Sequence, residues 1–177
     1  MTNASRDRNH ADSPDSERGT PSSGIANLSH FGLIRFAGED AQAFLQGQLS
    51  CDVHALQTGQ ALYGSYNTAK GRMLASFLLW RDDAGYVMQL PRSLCEPIRK
   101  RLSMYILRSK VKALDASEDY VLLGIAGTDT ASLLAPLFKT IPSTALAMSA
   151  TAGAQLLRLD ATHRAKFLFR VRTNPFV

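Results

Sequence analysis

The stretch Ala61-Leu62-Tyr63-Gly64-Ser65-Tyr66-Asn67-Thr68-Ala69-Lys70-Gly71-Arg72-Met73-Leu74-Ala75-Ser76-Phe77-Leu78-Leu79-Trp80-Arg81 decides the fold. Two β-rich runs, 61–67 and 73–81, flank a short polar segment that contains a glycine. This is the pattern of two antiparallel strands joined by a hairpin, with Gly71 taking dihedral angles that other residues resist. Asp82-Asp83-Ala84-Gly85 forms a second turn signal, and 86–90 reads as a third strand. The stretch therefore predicts an antiparallel meander.

Upstream, 31–37 reads as a strand that stops at Gly38. Glu39 and Asp40 follow, where a helix N-terminus favours negative charge. Ala41, Phe44, Leu45 and Leu49 keep helical spacing, and Gly47 predicts that the helix ends about there. Downstream, Pro91 stops the third strand. Ser93 with Glu96 has the spacing of a capping box, which places Pro97 in a first turn. Leu94, Ile98, Leu102, Tyr105 and Ile106 then form one apolar stripe, and 111–114 is another strand.

A second unit begins near Ser117. Its expected elements are a strand at 120–126, a turn and helix start at 127–129, a short helix at 131–138, and a hairpin of 155–159 with 166–172 turning through 160–163. The fold class is α+β, antiparallel sheets with packed helices. The expected divisions are a disordered polar tail over 1–24, a first α+β domain over 25–116, and an incomplete second one over 117–177.

With 177 residues and 45% hydrophobic content, the chain can bury a core. The net charge is +5; the first 24 residues hold three Arg against four acids, so the remainder is the basic part. A basic surface permits an anionic partner such as a polyglutamylated cofactor or RNA. No apolar run is long enough to span a bilayer, and the first 24 residues lack the apolar segment of a secretory signal. Cys51 and Cys95, the two cysteines, fall in no metal-binding spacing. These features predict a cytoplasmic protein without membrane association.

Several residues are candidates for a site. Lys70-Gly71-Arg72 places two cations around a glycine at a hairpin tip, suited to a carboxylate or phosphate, or simply to a solvated turn. Gln46-Gly47-Gln48 offers amides that can read the edge of a heterocycle, or that cap a helix end in water. Phe31, Tyr63, Tyr66 and Trp80 are candidate stacking rings or core residues, and Tyr66 with Asn67 lies beside the loop. Arg99, Lys100, Arg101, Arg108, Lys110 and Lys112 could form an RNA footprint, or a solvated helix face. Cys51 and Cys95 read as buried small side chains, and no metal-protease, phosphate-loop or dinucleotide motif occurs.

Phe44-Leu45-Gln46-Gly47-Gln48-Leu49 with Asp52-Val53, then Lys70-Gly71-Arg72-Met73-Leu74-Ala75-Ser76-Phe77, then Leu107-Arg108-Ser109-Lys110-Val111, resembles in order and separation the opening of the YgfZ-type folate-binding proteins. These are relatives of the aminomethyltransferase, or T-protein, of the glycine cleavage system. The resemblance implies a folate-binding, ring-like α+β fold of several domains around a channel. It also implies a tetrahydrofolate-dependent accessory in iron–sulfur cluster assembly or repair, serving iron–sulfur proteins and affecting tRNA modification. Carried over by position, Gln46, Gly47 and Gln48 match the family's first motif and Lys70, Gly71 and Arg72 its second. Phe31 falls where relatives place an aromatic against the folate.

Two departures accompany the likeness. T-protein enzymes carry adjacent aspartates after the glycine turn, where Met73-Leu74-Ala75-Ser76 stands here. Leu and Ala cannot handle a charged amine as a carboxylate does, so aminomethyl transfer is disfavoured. The family's downstream Lys-Gly-Cys motif is also not found, so the chain looks truncated, with an unfinished sheet that would tend to aggregate. The rival expectation is a basic RNA- or protein-interaction module without folate binding.

Overall fold

The computed structural model describes residues 23–159 and 165–172. Two five-stranded sheets stack face to face, and helices cover both outer surfaces. Sheet I has the order β3-β4-β5-β2-β6, with β2 at Phe31–Ala37, β3 at Ala61–Asn67, β4 at Met73–Asp82, β5 at Gly85–Pro91 and β6 at Lys112–Asp115. Sheet II has the order β1-β7-β10-β9-β8, with β1 at Ser23–Asn27, β7 at Tyr120–Gly127, β8 at Met148–Thr151, β9 at Ala154–Arg158 and β10 at Ala165–Arg172. Every pairing is antiparallel.

The continuous apolar run Phe77-Leu78-Leu79-Trp80 follows from this stacking, because a strand buried on both faces has no polar side to alternate with. Phe77 and Leu79 point to the helix layer, while Leu78 and Trp80 point to sheet II. The helix layer consists of α1 at Ala41–Gln48 and α2 at Arg92–Ser103, which bury Phe44, Leu45, Ile98 and Leu102 against Ile34, Phe36 and Met88. On the far side of sheet II, the short helix α3 at Thr130–Leu134 covers Ile125 and Leu156.

Trp80 is 1% exposed between the sheets, and its indole N–H donates to Gln155 Oε1 at 3.0 Å. A second tie is polar. Arg35 on β2 donates two hydrogen bonds to the Asp82 carboxylate, at 2.7 and 2.9 Å, and one to the Tyr120 hydroxyl on sheet II at 3.1 Å. Burial works against the guanidinium's charge, but the Asp82 carboxylate more than offsets it and holds Arg35 protonated.

The meander and the hairpin at 68–72 form as expected, and β9 pairs with β10. Other expectations are corrected. No capping box forms at Ser93, because strand β5 passes directly into α2 at Pro91, fixed by Arg92 N–H donating to the His30 carbonyl at 2.8 Å. Helix α2 therefore starts at Arg92, and Pro97 lies inside it. Glu96 instead pairs with Arg99 and Lys100. Helix α1 ends at Gln48, as Gly47 led one to expect, whereas α3 ends at Leu134 and strands β1 and β8 were not foreseen. Gly24, assigned to the tail by composition, pairs with Ala126. Residues 1–22 of that tail, and the turn at 160–163, lie outside the described residues.

The segment Leu107-Arg108-Ser109-Lys110-Val111 packs on the start of α1. The Lys110 N–H donates to Asp40 Oδ2 at 2.7 Å, and its ammonium pairs with Glu39 at 2.7 Å. Gly38 makes this approach feasible: its φ is +130°, and a Cβ there would lie 1.9 Å from the Lys110 carbonyl oxygen.

Gly38→Ala is expected to destabilise the fold by at least about 2 kcal/mol, read as a lowered denaturant midpoint. Asp82→Ala should cost about 2–3 kcal/mol, somewhat less than a fully enclosed pair, because it strands the Arg35 cation between the sheets. The double change Arg35→Met with Asp82→Leu should recover most of that loss.

Candidate functional site

Sheet II covers only part of sheet I. The register places Tyr63, Leu78, Gln89 and Leu33 in one cross-strand row with their side chains on the face toward sheet II. Leu33 and Leu78 are enclosed, at 0% and 5% exposure, whereas Tyr63 at the end of the row is 60% exposed. Beyond this row, toward the β3–β4 hairpin, the same face carries the Ser65–Ser76 and Phe31–Pro91 pairs. None of these four side chains is buried. The bulged end of the β3–β4 ladder pairs Asn67 with Met73, both exposed. This end of sheet I is an open, half-polar ledge.

Gln89 is the residue that distinguishes the ledge from ordinary surface. It is 8% exposed, and its Oε1 is buried without a hydrogen-bond partner. A buried amide oxygen left unpaired costs about 1–3 kcal/mol. Sequence reasoning missed Gln89; the available signal was one amide interrupting the apolar run Tyr86-Val87-Met88-Gln89-Leu90.

The expected residues divide between the ledge and other places. Phe31 lies on the ledge, partly buried, with its ring 4.4 Å from that of His30. Asn67 is exposed at its outer end. Tyr66 points the other way and is 3% exposed within the helix-side core, so its ring packs rather than offering an open stacking face. The cause is the strand alternation that puts Tyr63 outward on the ledge. Trp80 is likewise core.

The hairpin tip is shaped by backbone bonds. Thr68 N–H donates to the Arg72 carbonyl at 2.8 Å, Gly71 N–H to the Thr68 carbonyl at 2.9 Å, and Arg72 N–H to Thr68 Oγ1 at 3.1 Å. Gly71 has φ +78° with open space around it. Lys70 and Arg72 are exposed, and neither side chain forms an ion pair among the described residues.

Gln46-Gly47-Gln48 ends α1 on the other side of β3. Gln46 Oε1 accepts from the Val53 N–H at 2.6 Å and the His54 N–H at 3.2 Å, so that amide oxygen clamps the loop after the helix. Leu49 then bridges Tyr66. Gly47 faces open space. The first motif therefore meets β3 at its edge but does not lie on the ledge.

The remaining candidates have structural partners. Arg99 and Lys100 share the Glu96 carboxylate and Lys110 pairs with Glu39, so three of the six cations considered as an RNA footprint have acidic partners. Burial pushes the thiols of Cys51 and Cys95 up from their ordinary range, and both pack on the helix-side core. No group of residues suited to hold a metal ion occurs among the described residues. No helix among them is long and apolar enough to cross a membrane.

Residues 15–162 match the GCVT N-terminal domain family. The chain is 36% identical over 121 residues to the tRNA-modifying protein YgfZ of Klebsiella pneumoniae (strain 342), covering 68% of this chain and 37% of that protein. It is 28% identical over 166 residues to the YgfZ of Vibrio vulnificus (strain CMCP6), covering 90% and 51%. The chain thus spans about half the length of these relatives or less. Among solved structures, the glycine cleavage system aminomethyltransferase T from Bartonella henselae superposes with a TM-score of 0.73 at 19% identity, over 85% of this chain and 42% of that one. The antiparallel α+β architecture is that of the aminomethyltransferase T fold, and the chain belongs to the GCVT N-terminal domain family as a homologue of the YgfZ tRNA-modifying proteins.

Proposed function

We propose that this chain binds a tetrahydrofolate on the open ledge of sheet I and acts as an accessory in tRNA modification, serving an iron–sulfur protein rather than carrying out group transfer itself. The observation that carries the reading is the buried, unpartnered amide oxygen of Gln89 at the inner edge of the ledge. A pterin edge presents adjacent N–H donors and a carbonyl, which a side-chain amide complements. Tyr63 and Phe31 offer rings for an aromatic heterocycle, and Asn67, Lys70, Gly71 and Arg72 extend the surface outward. Gln46, Gly47, Gln48 and Tyr66 support this wall from behind and at its edge. The division into units over 25–116 and 117–177 belongs to the same proposal, with β1 crossing back to join the second sheet.

The chemistry of the ledge supports binding. Its side chains are amide, hydroxyl, aromatic and thioether groups, whereas Asp82, at the far end of β4, is engaged by Arg35. Aminomethyl transfer needs a carboxylate at the reacting amine. The rival RNA-module reading is weakened by the paired cations Arg99, Lys100 and Lys110.

Gln89→Leu separates ligand recognition from folding. Removing an unsatisfied buried amide should leave stability unchanged or raise it by up to about 1 kcal/mol, while folate affinity falls about tenfold or more. Thermal melts and calorimetric titration with 5-formyltetrahydrofolate read the two effects. A destabilised variant that binds as tightly as the parent contradicts the assignment.

A further inference from the structure

Strand β8 is the outer strand of sheet II, and the side of its backbone away from β9 is only partly covered. The Met148 N–H donates to the Gly59 carbonyl at 2.8 Å, and the Ala61 N–H to the Leu146 carbonyl at 2.8 Å, so the segment leading into β3 closes this edge as far as Met148. Backbone polar groups alternate between the two sides of a strand. Since the Met148 N–H points away from β9, the Met148 carbonyl and both backbone polar groups of Ala150 point the same way. Among the described residues no strand pairs with them. Edges that stay free are commonly blunted by charges, prolines or bulges. Met148-Ser149-Ala150-Thr151 has none of these, and its Ser, Ala and Thr side chains are small enough to let another backbone approach.

A hollow lies on each face of the edge. The register sets Met148 and Ala150 opposite Leu157 and Gln155, on the face toward sheet I, and Ser149 and Thr151 opposite Leu156 and Ala154, on the face toward α3. Thr58, Gly59, Asp83 and Ala150 line the hollow on the sheet I side. Phe138, Lys139, Thr140 and Thr151 line the one on the α3 side. Ser149 borders both, and its hydroxyl oxygen is buried without a hydrogen-bond partner. Asp83 and Lys139 are exposed, and neither enters an ion pair among the described residues.

We propose that β8 is a docking edge for an extended segment of a partner protein in which a Lys or Arg stands next to a Glu or Asp. Such a segment adds a sixth strand to sheet II through the free groups of Met148 and Ala150. Neighbouring residues of a strand face opposite ways. The cation therefore reaches Asp83 in one hollow while its acidic neighbour turns to Lys139 and Ser149 in the other. A second copy of this chain is a poor occupant. Antiparallel pairing of β8 with its two-fold mate keeps each face on its own side, which sets two Asp83 carboxylates on one face and two Lys139 ammoniums on the other. The edge lies at the end of β4 opposite the ledge, so the two surfaces can be filled independently.

The test uses the whole chain and the peptide acetyl-Thr-Val-Lys-Glu-Val-Thr-amide, followed by NMR and calorimetry at low salt. The peptide should bind saturably, shift the Ala150 amide signal and slow its hydrogen exchange. Adjacent N–H groups of a strand point to opposite edges, so N-methylation at both Lys and Glu blocks pairing in either direction and should weaken binding about tenfold or more. Asp83→Lys should weaken it about three- to tenfold, with the difference shrinking as salt rises. That variant should instead prefer a peptide with Glu at both central positions, which the parent should not. Melting curves that match the parent's show that the variant is folded. Absence of a saturable Ala150 shift, equal affinity for the methylated peptide, or an Asp83→Lys chain indifferent to peptide charge overturns the proposal. So does self-association of the parent that the peptide fails to displace, which makes a second copy the occupant.

Discussion

Trp80 fixes the relation between the two sheets, and the site depends on where that contact stops. The indole is closed in by Leu33, Val87, Leu122 and Leu157, and its N–H is satisfied by Gln155 across the interface. Next to it, Arg35 ties β2 to Asp82 and to Tyr120. These contacts hold sheet II over one end of sheet I. At the other end the face of sheet I continues past its cover, which leaves Tyr63 exposed in the same row as the buried amide of Gln89. An apolar residue at position 89 would simply extend the core. An amide there, at the boundary between cover and ledge, requires a polar partner.

The helix side is built differently and accounts for much of the motif that first identifies the chain. Gln46 clamps the loop that brings Val53 and Leu56 into the core, and the Lys110 segment locks onto the N-terminus of α1 over Gly38. Both motifs answer to folding requirements on this side of the sheet. The Lys70-Gly71-Arg72 tip differs, since its cations contribute to neither packing nor pairing within the described residues.

How much could be read from the sequence follows from the same physics. The meander was legible because Phe77 to Trp80 form a continuous apolar run bounded by Gly71 and Gly85, a pattern a doubly covered strand must have. Strand β1 was not, because it is a short edge whose one large apolar residue, Ile25, is 70% exposed and so gives no alternation. Ser93 and Glu96 had capping spacing, but the strand-to-helix junction at Pro91 had already set the helix start. Tyr63 and Tyr66 look equivalent in sequence; only the register decides that one opens onto the ledge and the other packs in the core. Gln89 was overlooked because a single amide in an apolar strand acquires meaning only when its environment is known.

The family resemblance meets the proposed ledge only at the Lys70-Gly71-Arg72 tip, and its other segments lie on the helix side of the sheet. The motifs supply the family, and the unsatisfied amide supplies the place where a ligand would be recognised. The most direct test of that placement is to follow assigned NMR signals while 5-formyltetrahydrofolate is titrated in. The account predicts that the Gln89 side-chain amide and the Tyr63, Ser65 and Ser76 backbone signals shift saturably, with the Gln46 side-chain amide unmoved. Shifts confined to α1 and the 50–56 loop, with Gln89 unmoved, would contradict it.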